Sequence, residues 1–339
     1  MKKSLLALAV LGAFAGAASA QSSVTVYGIV DVGFNSTDVG GDNGRTNGIE
    51  SGNQSASRIG FKGTEDLGGG LKANFQLEGT IAADTGSFSG GFNRVATVGL
   101  QGAFGKVDLG RQTSVIKDAY DQIDPFGDGG TIAPISDVFF AGAMGNGRVS
   151  NTVKYSTNSY SGFKAQAAYS FGETAGDTSA NSAWGVGLGY ANGPLNVQFG
   201  YHKVDDTDEV TLVQQGEGKA AFIGATYNFG GFKLHAAYGD GKIEDTLAAT
   251  EFKTRNYLIG ATLPLGPGNL IASYSVNDIR SFDEADSKKA AIMYTYDLSK
   301  RTNLYVGYSH TSNDDNVNLA GGPVGESNSV AAVGIRHKF

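Results

Sequence analysis

The sequence predicts an all-β chain, a 16-stranded antiparallel transmembrane β-barrel with its third outer loop folded into the lumen. Three observations carry the barrel. Short segments of alternating apolar and polar residues recur along the chain, joined by tight turns and long polar loops in alternation. No apolar run is long enough for a membrane helix, whereas a spanning strand needs only ~9–11 residues. The alternation also reaches the last residue. In "GIRHKF" (334–339), Ile335, His337 and Phe339 share one face, and Arg336 and Lys338 the other.

Residues 1–20, "MKKSLLALAVLGAFAGAASA", join Lys2 and Lys3 to an apolar stretch and end in Ala18-Ser19-Ala20. That is the pattern of a cleaved secretory leader, with the mature chain expected from Gln21 and the barrel over 21–339. The first strand is expected in "VTVYGIVDVGF" (24–34). Strand–turn–strand units follow in 57–79, 94–112, 151–172, 184–204, 220–241, 256–276 and 289–310. Their turns, such as "DLGGG", "ANGP" and "NFGGF", are short and rich in Gly, Asn and Asp. Longer polar stretches such as "STDVGGDNGRTNG" and "GETAGDTSANS" separate the hairpins, and Asp205, Asp206, Asp208 and Glu209 fall in one of them. Seven hairpins plus an opening and a closing strand make 16. Removing 20 residues from 339 leaves 319, roughly 20 per strand with its connection, as expected of an outer-membrane barrel.

Composition narrows the function classes. With no cysteine there is no disulfide framework and no thiolate chemistry. Removing the leader leaves 24 of the 26 Lys and Arg against 33 Asp and Glu, a net charge of −9. An acidic chain without basic blocks carries no footprint for nucleic acid. The 51 glycines suit tight turns and close strand packing, and the 6 prolines suit backbones that must donate their N–H groups. His202, His235, His310 and His337 lie in expected strands, with no Ser or Asp motif and no metal-ligand spacing around them. No enzyme, cofactor or metal is expected.

In "LKANFQLEG", Leu71, Ala73, Phe75 and Leu77 share one face, and Lys72, Asn74, Gln76 and Glu78 the other. In a membrane barrel the apolar face meets lipid and the polar face lines the lumen. Aromatics beside the short turns (Phe104, Tyr160, Phe163, Tyr190, Phe229, Phe232) fit an interfacial girdle. The last strand must pair with the first, because an open edge in lipid leaves backbone groups unsatisfied.

Residues 113–147 break the pattern. A loop of about 35 residues exceeds the usual connection, so a functional role is the default. It carries Asp118, Asp121, Asp124, Asp128 and Asp137 against Lys117, together with Ile123, Phe126, Ile132, Ile135, Phe139 and Phe140. Folding it into the barrel sets the apolar side against the wall and the acids toward water. By parity Arg58 and Lys62 point inward, as does Glu78, a candidate charge partner. Arg111 shares the outward parity of Val107 and Leu109. An arginine facing lipid costs ~2–4 kcal/mol at mid-depth, so a subunit interface is expected there.

The segments "VTVYGIVDVGF", "SRIGFKGTEDLGGGLKANFQLE", "FGKVDLGRQ", "RVSNTVKYST", "SGFKAQAAYS" and "GIRHKF" resemble the general porins of Gram-negative outer membranes, of the betaproteobacterial type. The resemblance spans essentially the whole mature chain. It implies a homotrimer of barrels in outer-membrane lipid and lipopolysaccharide. It also implies an inward third loop, and a terminal Phe339 read by the outer-membrane assembly machinery. Arg58, Arg94 and Arg148 match the family's constriction arginines, facing Asp118, Asp121 and Asp128. The implied function is passive diffusion of ions and small hydrophilic solutes through a water-filled channel, and the local balance of Arg58, Arg94 and Arg148 against Asp118, Asp121 and Asp128 adds the expectation of a weak anion preference. A substrate-specific channel of the same fold is the alternative.

Overall fold

The computed structural model describes residues 23–339 except 89, 128, 140–146, 178, 208–213, 246–248 and 320–321. The leader, Asp128, Phe140, Asp208 and Glu209 therefore lie outside the described residues. Sixteen strands form the barrel: β1 Ser23–Asp38, β2 Arg58–Gly68, β3 Leu71–Ala82, β4 Val95–Gly102, β5 Gly105–Thr113, β6 Arg148–Ser156, β7 Phe163–Ser170 and β8 Ala183–Asn192. The second half comprises β9 Leu195–Thr207, β10 Gln214–Asn228, β11 Lys233–Asp245, β12 Thr250–Leu265, β13 Gly268–Ile279, β14 Ser287–Asp297, β15 Thr302–Asn313 and β16 Asn328–Lys338.

Each strand pairs antiparallel with its sequence neighbours, and β16 closes on β1 from Ile29↔Lys338 to Asp38↔Ser329. The seam ends in two 3.1 Å bonds, Gly28 N–H to the Phe339 carbonyl and Phe339 N–H to the Gly28 carbonyl. The Phe339 ring lies where a side chain on Gly28 would project, 2.4 Å from a Cβ built there, so only glycine fits beneath it.

Parity sorts the wall into two surfaces. Val26, Val98, Leu188, Ile223, Ile259 and Val306 stand exposed on the outer face, Leu188 at 62% and Ile259 at 61%. A barrel in water would not leave such a band uncovered, whereas lipid satisfies it. The opposite parity holds Asp31, Gln198, His235, Asn256 and Ser309, all buried. Near the short turns the expected girdle is present. Phe104, Tyr160 and Phe163 are exposed, Phe163 packs on Tyr190 at 4.5 Å, and Phe229 stacks on Phe232 at 4.9 Å.

Three local features depart from the sequence reading. The polar stretch after β1 contains a further strand, Arg45–Ser51, which extends the ladder along the outer half of β1. Gly40, Gly41 and Gly44 at positive φ make that reversal possible. Asp205 and Asp206 belong to β9 rather than to a loop, because its pairing with β10 runs on past them. The third loop opens with a short helix, α1 Val115–Asp121, capped by Ser114, whose hydroxyl accepts the Lys117 N–H.

Candidate functional site

The loop from Ser114 to Phe139 crosses the inner face of the barrel. Helix α1 touches β7, β8, β9 and β10. Glycines on the inner parity make room for it: a Cβ on Gly200 would stand 2.8 Å from the Ile116 Cα, and one on Gly187 2.6 Å from a Val115 methyl. Its apolar side is buried. Ile116, Tyr120, Ile123, Ile135, Val138 and Phe139 pack with Ala220, Phe222 and Leu258 of the wall. Farther along, Phe126 and Ile132 join Ile271, Met293 and Tyr305. Polar fasteners add direction. The Asn256 amide donates to the Val138 carbonyl at 3.0 Å, and His235 Nδ1 lies 2.6 Å from the Ile123 carbonyl.

The far end of the loop meets a second inward segment, residues 52–57. Thr131 N–H donates to the Asn53 carbonyl at 3.0 Å. Asp31 holds this segment in place, accepting the N–H groups of Gln54 at 2.8 Å and Ser55 at 2.6 Å and the Tyr305 hydroxyl at 2.6 Å. Alternation could not reveal this segment, because "SGNQSAS" reads as ordinary polar loop.

The loop acids do not simply face water, as expected from sequence. Asp118 pairs with Lys154 of β6 at 2.8 Å, and Asp121 with Lys117 at 2.8 Å. Asp137 pairs with Lys289 of β14 at 2.6 Å. Asp124 accepts the N–H groups of Phe126 and Ile135, both at 2.9 Å. Enclosure of its carboxyl, opposed by those two bonds and reinforced by Asp121 and Asp137, pushes its pKa up from 3.8 to about 7. Burial likewise raises Asp137 above the usual carboxylate range, against the pull of Lys289. A loop packed into a confined lumen cannot solvate this many carboxylates, so wall cations, its own Lys117 and its own backbone compensate them.

The wall of β1–β5 presents the other expected residues. Arg58, Lys62, Gln76 and Glu78 share the inner face through the pairs Arg58↔Thr80, Gly60↔Glu78 and Lys62↔Gln76. Arg94 sits just before β4 and is buried, its Nε 2.6 Å from a Glu78 carboxylate oxygen. Tyr27 donates to the other Glu78 oxygen at 2.9 Å, and the Lys62 ammonium lies 5.0 Å from the Tyr27 ring centroid. Arg148 opens β6 opposite Thr113 at the loop's root. Two cations not expected at the site, Arg336 and Lys338 of β16, lie within electrostatic reach of Arg58. Their inner parity was legible in "GIRHKF", but their proximity to Arg58 follows only from closure of the barrel. Arg111 faces outward, as parity requires, and is satisfied within its own chain: Nε donates to the Asn93 carbonyl at 2.6 Å and a terminal nitrogen to Ser150 Oγ at 2.8 Å.

A closed barrel with a lipid-facing exterior, a polar charged interior and a loop docked within it defines a membrane diffusion channel of the porin class. A family model described as Gram-negative porin matches residues 7–316, and the chain belongs to that family. Along the full length of both chains it is 39% identical to outer membrane porin protein 32 of Delftia acidovorans and 36% identical to an outer membrane porin protein of Bordetella pertussis. The solved anion-selective porin from Comamonas acidovorans superposes with a TM-score of 0.84 at 32% identity, covering 94% of this chain and all of that one. A trimer form of OmpT from Vibrio cholerae shares the fold at a TM-score of 0.73 and 16% identity. The chain is thus a non-enzymatic outer-membrane channel for passive diffusion.

Proposed function

We propose that the channel prefers anions and that its narrowest section lies between loop 113–147 and the wall carrying Arg58, Arg94 and Arg148. The observation that carries this reading is the state of the loop acids. Asp118, Asp121 and Asp137 each have an ammonium partner within 2.8 Å. Glu78 is taken up by Arg94. The cations facing the passage from the opposite wall, Arg58, Lys62, Arg336 and Lys338, then set the local field, whatever the net charge of the chain. Charges exposed to bulk are screened beyond ~8 Å, while those at a constriction act directly on the ion. The name of the Comamonas acidovorans neighbour supports the same sign.

Three barrels would assemble as a homotrimer in outer-membrane lipid and lipopolysaccharide, with the face around Arg111 turned to a neighbouring subunit. Phe339, at the seam, would be the residue read during assembly. The test is electrical. Replacing Arg58 and Arg148 by Ser should move the zero-current potential in a salt gradient toward cations while conductance persists. A potential that stays in place overturns the site assignment. Chemical cross-linking in mild detergent should stop at three subunits.

A further inference from the structure

The inner wall of β4–β9 holds a recess on the short-turn side of α1, apart from the residues of the narrowest section. Its floor is a register row across four strands. Gln101 stands opposite Lys106, Lys106 opposite Ser156, and Ser156 opposite Gln166. On β8 the wall turns to glycine: Gln166 pairs with Gly187 and Lys164 with Gly189, and Gly189 pairs in turn with Gln198 of β9. Without side chains from β8 the wall is hollow there. Ala119 and Gln122 of the third loop form the roof, and Asn158 and Ser159 of the turn after β6 close the lower end. The cavity has a volume of about 570 Å³, within the range of small-molecule sites.

The lining is polar and carries no acid. Among the described residues no aspartate or glutamate borders the recess, whereas two lysines do. Lys106 has one carboxylate partner, Asp108 at 2.8 Å, whose other oxygen accepts from the Asn74 amide at 2.9 Å. Lys164 is exposed on the inner parity and has no hydrogen bond or ion pair among the described residues.

The amides present the opposite polarity. Gln122 donates its amide to the Asp118 carbonyl at 3.0 Å, and Gln166 donates to Ser156 Oγ at 3.3 Å. Asn158 donates to the Gly102 and Ala103 carbonyls, both at 3.1 Å. The amide oxygens of these three side chains accept nothing from a described group, and Gln101 uses neither end of its amide. Open carbonyl oxygens therefore stand beside ammonium groups.

Such a lining discriminates among solutes. A chloride ion or an alkyl carboxylate satisfies the lysines and offers nothing to the amide oxygens, which need a hydroxyl or N–H donor. A neutral sugar serves the oxygens and leaves the ammonium groups without an anion. A solute with one carboxylate and several hydroxyls serves both, and its bonds to lysine are the stronger, charge-assisted kind.

We propose that the recess is a binding site for polyhydroxylated carboxylates of the sugar-acid class, with the carboxylate on Lys164 and Lys106 and the hydroxyls on Gln101, Gln166 and Asn158. Strands ~4.8 Å apart place Gln101 and Gln166 roughly 14 Å from one another along the wall, enough for an extended six-carbon chain. The site adds solute recognition to the charge balance at the narrowest section. Short turns of such barrels face the periplasm, so the solute is held at the periplasmic mouth, weakly enough to leave.

The test uses the full-length protein in planar bilayers, with gluconate added on the short-turn side and the current read for brief blockades. Gluconate should reside several-fold longer than propionate, which has the carboxylate alone, and than glucose, which has the hydroxyls alone. Lys164→Gln should shorten gluconate blockades several-fold and leave those of glucose unchanged. Gln101→Ala with Gln166→Ala should also shorten them and erase the preference over propionate. These positions lie on the open inner wall, so both variants should insert and conduct potassium chloride. Equal residence of gluconate and propionate in the parent overturns the proposal. So do parent-like gluconate blockades in both variants, which would put the contact elsewhere in the lumen. The zero-current potential tests the constriction separately: a potential that ignores Arg58 and Arg148 overturns that assignment and leaves the gluconate result standing.

Discussion

Replacing Phe222 by Ala separates docking of the loop from stability of the barrel. The ring is 1% exposed and packs edge-on between Tyr120, at 6.3 Å between centroids, and Phe139, at 6.0 Å. Both partners belong to the loop, while Phe222 contributes only backbone to the ladder with β9 and β11. Truncating a buried Phe costs about 3–5 kcal/mol. If that loss falls on the docked loop, the undocked population rises by at least about 100-fold, since 1.4 kcal/mol is a factor of ten. In planar bilayers the variant should show a noisier open state and brief excursions to higher conductance. Protease should nick residues 114–139 faster than in the parent. A quiet channel with unchanged cleavage and a lower barrel melting temperature would refute the argument, because the ring would then belong to the barrel's own stability.

The titration of Asp124 gives a second test. Because its pKa is raised to about 7, the docked loop favours the protonated form. Its stabilisation is fully present below the ordinary 3.8 and declines as pH rises through about 7. Open-channel noise should therefore rise from pH 5 to pH 8, and Asp124→Asn should flatten that dependence. Lys289→Met leaves the partly buried Asp137 carboxylate without its ammonium, a loss below the about 3–5 kcal/mol of a fully buried pair because water still reaches the carboxylate. The loop should loosen, and adding Asp137→Leu should restore quiet recordings; failure of that rescue would rule the ion pair out as an anchor. Phe339→Ala removes the ring that covers Gly28 at the seam. It should lower the yield of assembled protein in the outer membrane, and an unchanged yield would count against its role in assembly.

The barrel itself was legible because its determinant is local. Alternation such as Leu71, Ala73, Phe75 and Leu77 against Lys72, Asn74, Gln76 and Glu78 is visible in nine residues. The seam was legible for the same reason. What escaped depends on register between distant strands. Lys289 lies 152 positions from Asp137 in sequence, and their 2.6 Å contact exists only because the loop crosses to β14. The alignment of Gln101 with Lys106, Ser156 and Gln166 likewise appears only once three separate pairings are counted out. The inward segment 52–57 was missed because its polar residues find partners on β1, β15 and β16, which composition cannot anticipate.

The arc of wall that grips the loop and the arc that faces it are built from different strands. Phe222, Leu258, Ile271 and Met293, the hydrophobic seat of the loop, come from β10 to β14. Arg58, Lys62 and Glu78 come from β2 and β3. Mutational drift can therefore act on the two arcs separately. Exchanging a cation on the early strands retunes the field without unseating the loop, and repacking the late strands changes how firmly the loop sits without altering the charges opposite. A chain divided in this way can diversify its permeability while its architecture is conserved.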